Sequence, residues 1–174
     1  MKSNTIKTLF AIVVFVALSL FISNPAFAVP DCYVGAAGVW DGDYEIRTAA
    51  DRAALSGYTS VTGELLIYGS LLINLEGLEC LTHVAGRVII EYNLALTSLA
   101  GLDNLISVGG RLGIHHNYRL TSLAGFDNLE STGGDLYILF NRELCTSVAE
   151  VLRDQVLNAD GTGGDAYIRD NKGC

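Results

Sequence analysis

The chain has 174 residues, with 11 Lys and Arg against 19 Asp and Glu, a formal charge of −8. An acidic chain without a basic cluster cannot neutralise phosphates, which argues against nucleic acid and against anionic lipid surfaces as partners. Its four cysteines show no CxxC pair and no Cys/His spacing typical of zinc.

Residues 1–28 read as a secretory leader. Lys2 and Lys7 make a positive start, Leu9 to Ile22 is uncharged and largely apolar, and "NPAFA" ends in a small-x-small site, with cleavage expected after Ala28. Fourteen apolar residues are too few to span a bilayer core of about 30 Å. Removing the leader takes away two lysines and no acid, so nine cationic residues face 19 acids and the net charge becomes −10. The remaining length suits one domain. The expected product is secreted (periplasmic, cell-surface or extracellular), with no membrane-spanning segment in the mature chain. In that setting, an even cysteine count reads as two disulfides.

Residues 29–62 are expected to form an N-terminal cap. "YEIRTAADRAALSGYTSVTG" holds a predicted helix at about Ala49–Leu55, with Ile46, Ala50, Ala53 and Ala54 near one side and suited to covering the first coil. "WDGDY" (Trp40 to Tyr44) reads as a turn.

Residues 63–143 are repetitive. "LTSLAGLDNLISVGGRLGIHHNYR" (Leu96 to Arg119) is followed without a gap by "LTSLAGFDNLESTGGDLYILFNRE" (Leu120 to Glu143), and 15 of 24 positions are identical, so the changed letters show where variation is permitted. Leu72 to Ala95 is a third unit, and "GELLIYGSL" (Gly63 to Leu71) a half-unit before it. Such a period means stacked coils, each burying its apolar edge on its neighbours.

Each unit ends in a predicted strand: "ELLIY", "RVIIE", "RLGIH", "DLYIL" and, in the last unit, "DAYIR". Alternation puts Leu65/Ile67, Val88/Ile90, Leu112/Ile114, Leu136/Ile138 and Ala166/Ile168 on one inward face. Before each strand the aliphatic spacing is three, as in Leu96, Leu99, Leu102, Leu105 and Val108, which suits an extended or 3₁₀-like return path. Gly77, Gly101 and Gly125 recur where a turn needs positive φ or close approach. Asn93, Asn117, Asn141 and Asn171 follow the strands and are expected to bond to backbone groups of adjacent coils.

Residues 144–174 form a stretched capping repeat. "SVAEVLRDQVL" (Ser147 to Leu157) reads as an amphipathic helix with Ser147 as N-cap and Glu150 completing a capping box. Four cysteines allow three pairings; their places beside the two ends favour Cys32–Cys80 and Cys145–Cys174.

The outward strand residues fall into three columns: Glu64, Arg87, Arg111, Asp135, Asp165; Leu66, Ile89, Gly113, Tyr137, Tyr167; and Tyr68, Glu91, His115, Leu139, Arg169, flanked by Tyr92, His116 and Phe140. Leu66, Ile89, Tyr137, Tyr167, Tyr68, His115, Leu139 and Arg169 are the candidate ligand-binding residues, since an exposed apolar and aromatic patch commonly marks an interaction site. The competing reading is that these rings simply pack laterally on one another. Arg111 and Asp135 are expected to pair across rungs. Glu91 and His115 are expected to touch across rungs, and His115 beside His116 raises a metal; yet a metal needs three or four converging donors and the next rung offers Leu139, so neither metal nor cofactor is expected. No GxSxG, HExxH or phosphate-cradling loop is present, and no enzymatic activity is expected.

The repeats "LTSLAGLDNLISVGGRLGIHHN" and "LTSLAGFDNLESTGGDLYILFN", preceded by "YTSVTGELLI", resemble those of the receptor L-domain family, in its exported bacterial form, over roughly residues 46–174. The resemblance implies a leucine-rich-repeat-like α/β solenoid: a short right-handed, β-helix-like stack of about five rungs with one parallel sheet and helical caps at both ends. In receptors of this family such domains bind peptide hormones through the open sheet face and adjoining loops. The functional expectation is therefore an exported, non-enzymatic module recognising a protein or carbohydrate through that face. The alternative is a structural, self-associating envelope protein.

Overall fold

The computed structural model describes Cys32, residues 35–158 and residues 163–174. The expected leader, residues 1–28, lies outside the described residues. The fold is a parallel β-solenoid of about four turns with two α-helices among the described residues.

The predicted strands form as β4 (Leu65–Tyr68), β6 (Val88–Glu91), β8 (Leu112–His115), β10 (Leu136–Leu139) and β11 (Ala166–Arg169). A further strand, β2 (Tyr44–Ile46), joins them, giving one six-stranded sheet in the order β11-β10-β8-β6-β4-β2. Every pairing is parallel and in register, with Ile67, Ile90, Ile114, Ile138 and Ile168 opposite one another in succession. The inward pairs of β4, β6, β8 and β10 are almost fully enclosed. Ala166 and Ile168, at the end of the stack, are half-buried.

One sheet was expected and two are present. The return paths end in short strands, β1 (Val39–Trp40), β3 (Ser60–Val61), β5 (His83–Val84), β7 (Ser107–Val108) and β9 (Ser131–Thr132), which form a second parallel sheet. Two residues carry no alternation to read, so only coil stacking reveals these strands. The three-residue spacing has its own physical cause: Leu102 N–H donates to Leu99 O at 3.2 Å and Leu105 N–H to Leu102 O at 2.9 Å, successive turns that return the same side inward. Leu78, Leu81, Phe126 and Leu129 repeat this bonding in the neighbouring coils. Each buried leucine contributes roughly 1.5–3 kcal/mol relative to exposure.

At the corner after each main strand, Asn93, Asn117 and Asn141 are fully buried. Asn117 Oδ1 accepts from Asn93 N–H at 3.1 Å, and Asn117 Nδ2 donates to Ile90 O at 2.8 Å. Asn141 and Asn171 repeat the pattern. In the first coil Ser70 takes the place of asparagine and bonds to Asn93 Oδ1 through both its N–H and its hydroxyl. The residue before this ladder has positive φ in every coil: Gly69, Tyr92 (55°), His116 (58°), Phe140 (57°) and Asp170 (58°). Gly77, Gly101 and Gly125 also adopt positive φ, and a Cβ on Gly101 or Gly125 would collide with a leucine carbonyl of the coil before.

Helix α1 (Ala49–Leu55) forms over the predicted residues, but its role differs from expectation. Ile46 belongs to β2, and Ala50, Ala53 and Ala54 are exposed; Leu55 is the residue the helix buries. The expected alanine stripe is therefore not the covering face; Leu55 is. The capping box lies here: Thr48 Oγ1 accepts from Asp51 N–H at 3.2 Å, and Asp51 Oδ2 accepts from Thr48 N–H at 2.8 Å. Helix α2 (Thr146–Asn158) begins at Thr146, which makes Ser147 its second residue and not its cap. Bonding of Thr146 N–H and Oγ1 to Lys172 O ties the helix start to the last coil. Ala149, Leu152 and Val156 are buried, and Gln155 Nε2 donates to Phe126 O and Leu129 O, both at 2.8 Å.

Disulfides join Cys32 to Cys80 and Cys145 to Cys174, with Cα separations of 5.5 and 5.4 Å. Among the described residues no helix is long and apolar enough to cross a membrane.

Candidate functional site

The outer face of the six-stranded sheet carries two adjoining hollows. The larger, about 330 Å³, is lined by Leu66, Tyr68, Ile89, Glu91, Arg111 and His115, together with Glu45, Arg47 and Arg87. The smaller, about 240 Å³, shares Glu91, Arg111 and His115 and adds Gly113, His116, Tyr137, Leu139 and Phe140. Six of the eight candidate residues thus line these hollows. Tyr167 and Arg169 do not. Tyr167 stacks on Tyr137 with ring centroids 4.9 Å apart, and exposed Arg169 lies 3.9 Å from the Asp170 carboxylate.

Ile89 is corrected from an exposed to a buried residue, at 8% exposure. The cause is its neighbour on β8: a Cβ on Gly113 would sit 2.9 Å from Ile89 Cδ1, so the missing side chain leaves room for Ile89 to lie across the sheet. Leu66, Tyr137 and Leu139 are half-buried, while Tyr68 and Tyr167 are about two-fifths exposed. The lateral-packing reading therefore describes part of this surface.

A second array runs along the corner. The left-handed backbone at Tyr92, His116 and Phe140 turns their rings into one column: Tyr92 stacks on His116 at 4.7 Å and His116 on Phe140 at 4.9 Å. Tyr68 meets Tyr92 edge-on at 5.7 Å, and the Arg47 guanidinium lies 5.3 Å from the Tyr68 ring centre. The repeat-to-repeat comparison marked His116 and Phe140 as variable; their positive φ had no signal beyond the asparagine that follows.

The charged column behaves differently from expectation. Arg87 pairs with Glu64 at 2.7 Å, but Arg111 makes no ion pair with Asp135 and lies 5.8 Å over the Tyr137 ring instead. Asp135 is already engaged, accepting from Asp165 N–H at 2.9 Å and from the Tyr137 hydroxyl at 2.8 Å. The Asp165 backbone bond, then the Tyr137 hydroxyl, hold the Asp135 carboxyl below its ordinary range. The same carboxylate pushes the Tyr137 phenol up. Asp43 has the matching job in the coil before β4, accepting from Glu64 N–H at 2.8 Å, and "WDGDY" is the bend between β1 and β2. The end aspartates cap backbone.

Between the hollows stand Glu91, His115 and His116. Glu91 Oε1 is 3.0 Å from His115 Nδ1 and 3.7 Å from His116 Nδ1. Burial pushes the His115 imidazole down, and the Glu91 charge opposes that shift. One donor atom from each of the three residues lies within 4.8 Å of the others. The expected contact of Glu91 with His115 is present, and the left-handed backbone at His116 adds the third donor that the following rung's Leu139 does not supply.

The chemistry on offer is that of a recognition surface: flat rings, the three guanidinium groups of Arg47, Arg87 and Arg111, and carboxylates that bond within the protein. No curated protein matches the chain. Residues 41–157, which span the first bend, the repeats and helix α2, match the family model described as receptor L domain. That family is one of ligand-binding domains, and the chain belongs to the receptor L domain family.

Proposed function

We propose that this protein is an exported, non-enzymatic recognition module that holds a protein or glycan against the outer face of its six-stranded sheet. The observation that carries the reading is the pair of adjoining hollows edged by stacked aromatic rings. Rings with an apolar face and a polar tip suit both peptide and sugar partners. The two disulfides and the family fit an extracellular or secreted setting. In this reading residues 1–28 are the export leader, residues 29–62 and 144–174 close the two ends with their helices, and residues 63–143 present the binding wall.

Tyr137→Ala with Tyr167→Ala tests the face. The pair is expected to abolish retention of a partner captured on immobilised protein from envelope extract or on a glycan array, while circular dichroism shows that the fold is retained at a somewhat lower unfolding midpoint. Unchanged retention of every partner would show that another surface binds.

A second reading, self-association, has its own observation. Leu71, Ile73 and Leu94 are 78%, 64% and 53% exposed along one corner. Dimers that persist in light scattering at sub-micromolar concentration, and are lost in Leu71→Ser with Leu94→Ser, would favour it.

A further inference from the structure

We propose that Glu91, His115 and His116 form a binding site for one divalent transition-metal ion of the zinc and copper class. The inference goes beyond ligand recognition and is testable without any partner.

Two imidazoles and a carboxylate are the donor set that borderline metals favour, and three protein donors leave one tetrahedral position free. With metal–nitrogen distances of about 2.0–2.1 Å, tetrahedral donors stand about 3.3 Å apart. The separations of 3.0 and 3.7 Å between the Glu91 oxygen and the two Nδ1 atoms bracket that value. The third separation is within 4.8 Å, so closing the set needs only small side-chain rotations.

The backbone makes this convergence. Successive strand residues point to opposite sides, so an adjacent pair of histidines would ordinarily diverge. Here β8 ends at His115, and His116 takes φ of 58°, which brings its ring back toward Glu91. The ring is then held between Tyr92 and Phe140, leaving its edge as the available surface. His116 Nδ1 is shut off from solvent and has no hydrogen-bond partner among the described residues. A buried nitrogen without a partner is costly, and a bound cation supplies the partner. Equivalent corners of the neighbouring coils carry Tyr92 and Phe140, which offer no nitrogen, so the site belongs to this coil.

Glu91 and His115 line both hollows, so the free coordination position lies where a ligand on the sheet could donate a carboxylate or imidazole. Arg111 also lines both hollows, and its charge opposes a cation there.

The test is calorimetric titration of the disulfide-bonded chain with Zn²⁺, together with visible absorption on adding Co²⁺. The expected result is one ion per chain and a tetrahedral Co²⁺ spectrum. Glu91→Gln, His115→Gln and His116→Asn should each weaken Zn²⁺ binding by more than roughly tenfold. Asparagine tolerates the left-handed backbone at position 116. His83→Gln, an exposed residue of β5 in the second sheet, should leave the affinity unchanged, and Arg111→Gln should tighten it. Circular dichroism of each variant establishes that it is folded, and Glu91→Gln and His115→Gln decide the matter if His116→Asn does not fold. No saturable binding, or binding that survives Glu91→Gln and His115→Gln in folded protein, would overturn the proposal.

Discussion

At the scale of single residues, small differences between nearly identical coils decide what the wall offers. Gly113 stands where the next two coils carry Tyr137 and Tyr167, and its missing side chain leaves Ile89 room to lie buried across the sheet beside the smaller hollow. Asp135 shows the electrostatic counterpart. Its folded carboxyl titrates below its ordinary range because the charged form accepts bonds from Asp165 N–H and Tyr137. A depressed carboxylate contributes stability that is fully present above its unfolded pKa and is lost as pH falls through the lowered value. Asp135→Asn is therefore expected to be less stable than the parent at neutral pH, with the difference shrinking in acid. Unfolding midpoints measured across that range check it, and a difference independent of pH would contradict the assignment. The inward aliphatic pairs and the asparagines could be read from the sequence because repetition fixes their places. The burial of Ile89 and the stacking of Arg111 on Tyr137 could not, since each depends on a neighbour one coil away.

At the scale of elements, the asparagine ladder shows how backbone groups at a tight corner are satisfied without water. Asn117 links three coils: it accepts from Asn93, donates to Ile90 O, and its own N–H is accepted by Asn141. Asn117→Leu would leave the Asn93 N–H and one Asn93 Nδ2 hydrogen buried without partners. At about 1–3 kcal/mol for each unsatisfied group, a loss of about 2–6 kcal/mol is expected in denaturant unfolding. A loss below 1 kcal/mol would mean that water reaches the corner. The elements themselves differed in legibility. Four-residue strands show their alternation and were found; the two-residue strands of the second sheet were not, because so short a stretch has no period. Both helices were located, yet the capping box was assigned to the wrong one. "SVAE" has the right letters for it, but the bonds of Thr146 to the last coil start the helix one residue earlier.

At the scale of the whole molecule, in-register stacking converts a sequence period into two walls. The inward wall holds the core, and the outward wall gathers side chains from different coils into sites that no single repeat contains. Glu91 and His115 are 24 residues apart in the sequence and partners in the sheet register. That is why the sequence, read in register, brings Glu91 to His115 across rungs but not His116 to the same point, which depends on the left-handed backbone there. The opposite side of the solenoid has a hollow of its own, about 610 Å³, lined among others by Asn104, Asp127, Asn128 and Glu130. It offers carboxylates and amides in place of rings. The two sides therefore make different predictions for where a partner sits. A photoreactive phenylalanine analogue placed at Tyr137 in one preparation, and at Asn128 in another, reads the choice directly by crosslinking to the captured partner. The account predicts crosslinks from position 137 and none from position 128; crosslinks from position 128 alone would contradict it.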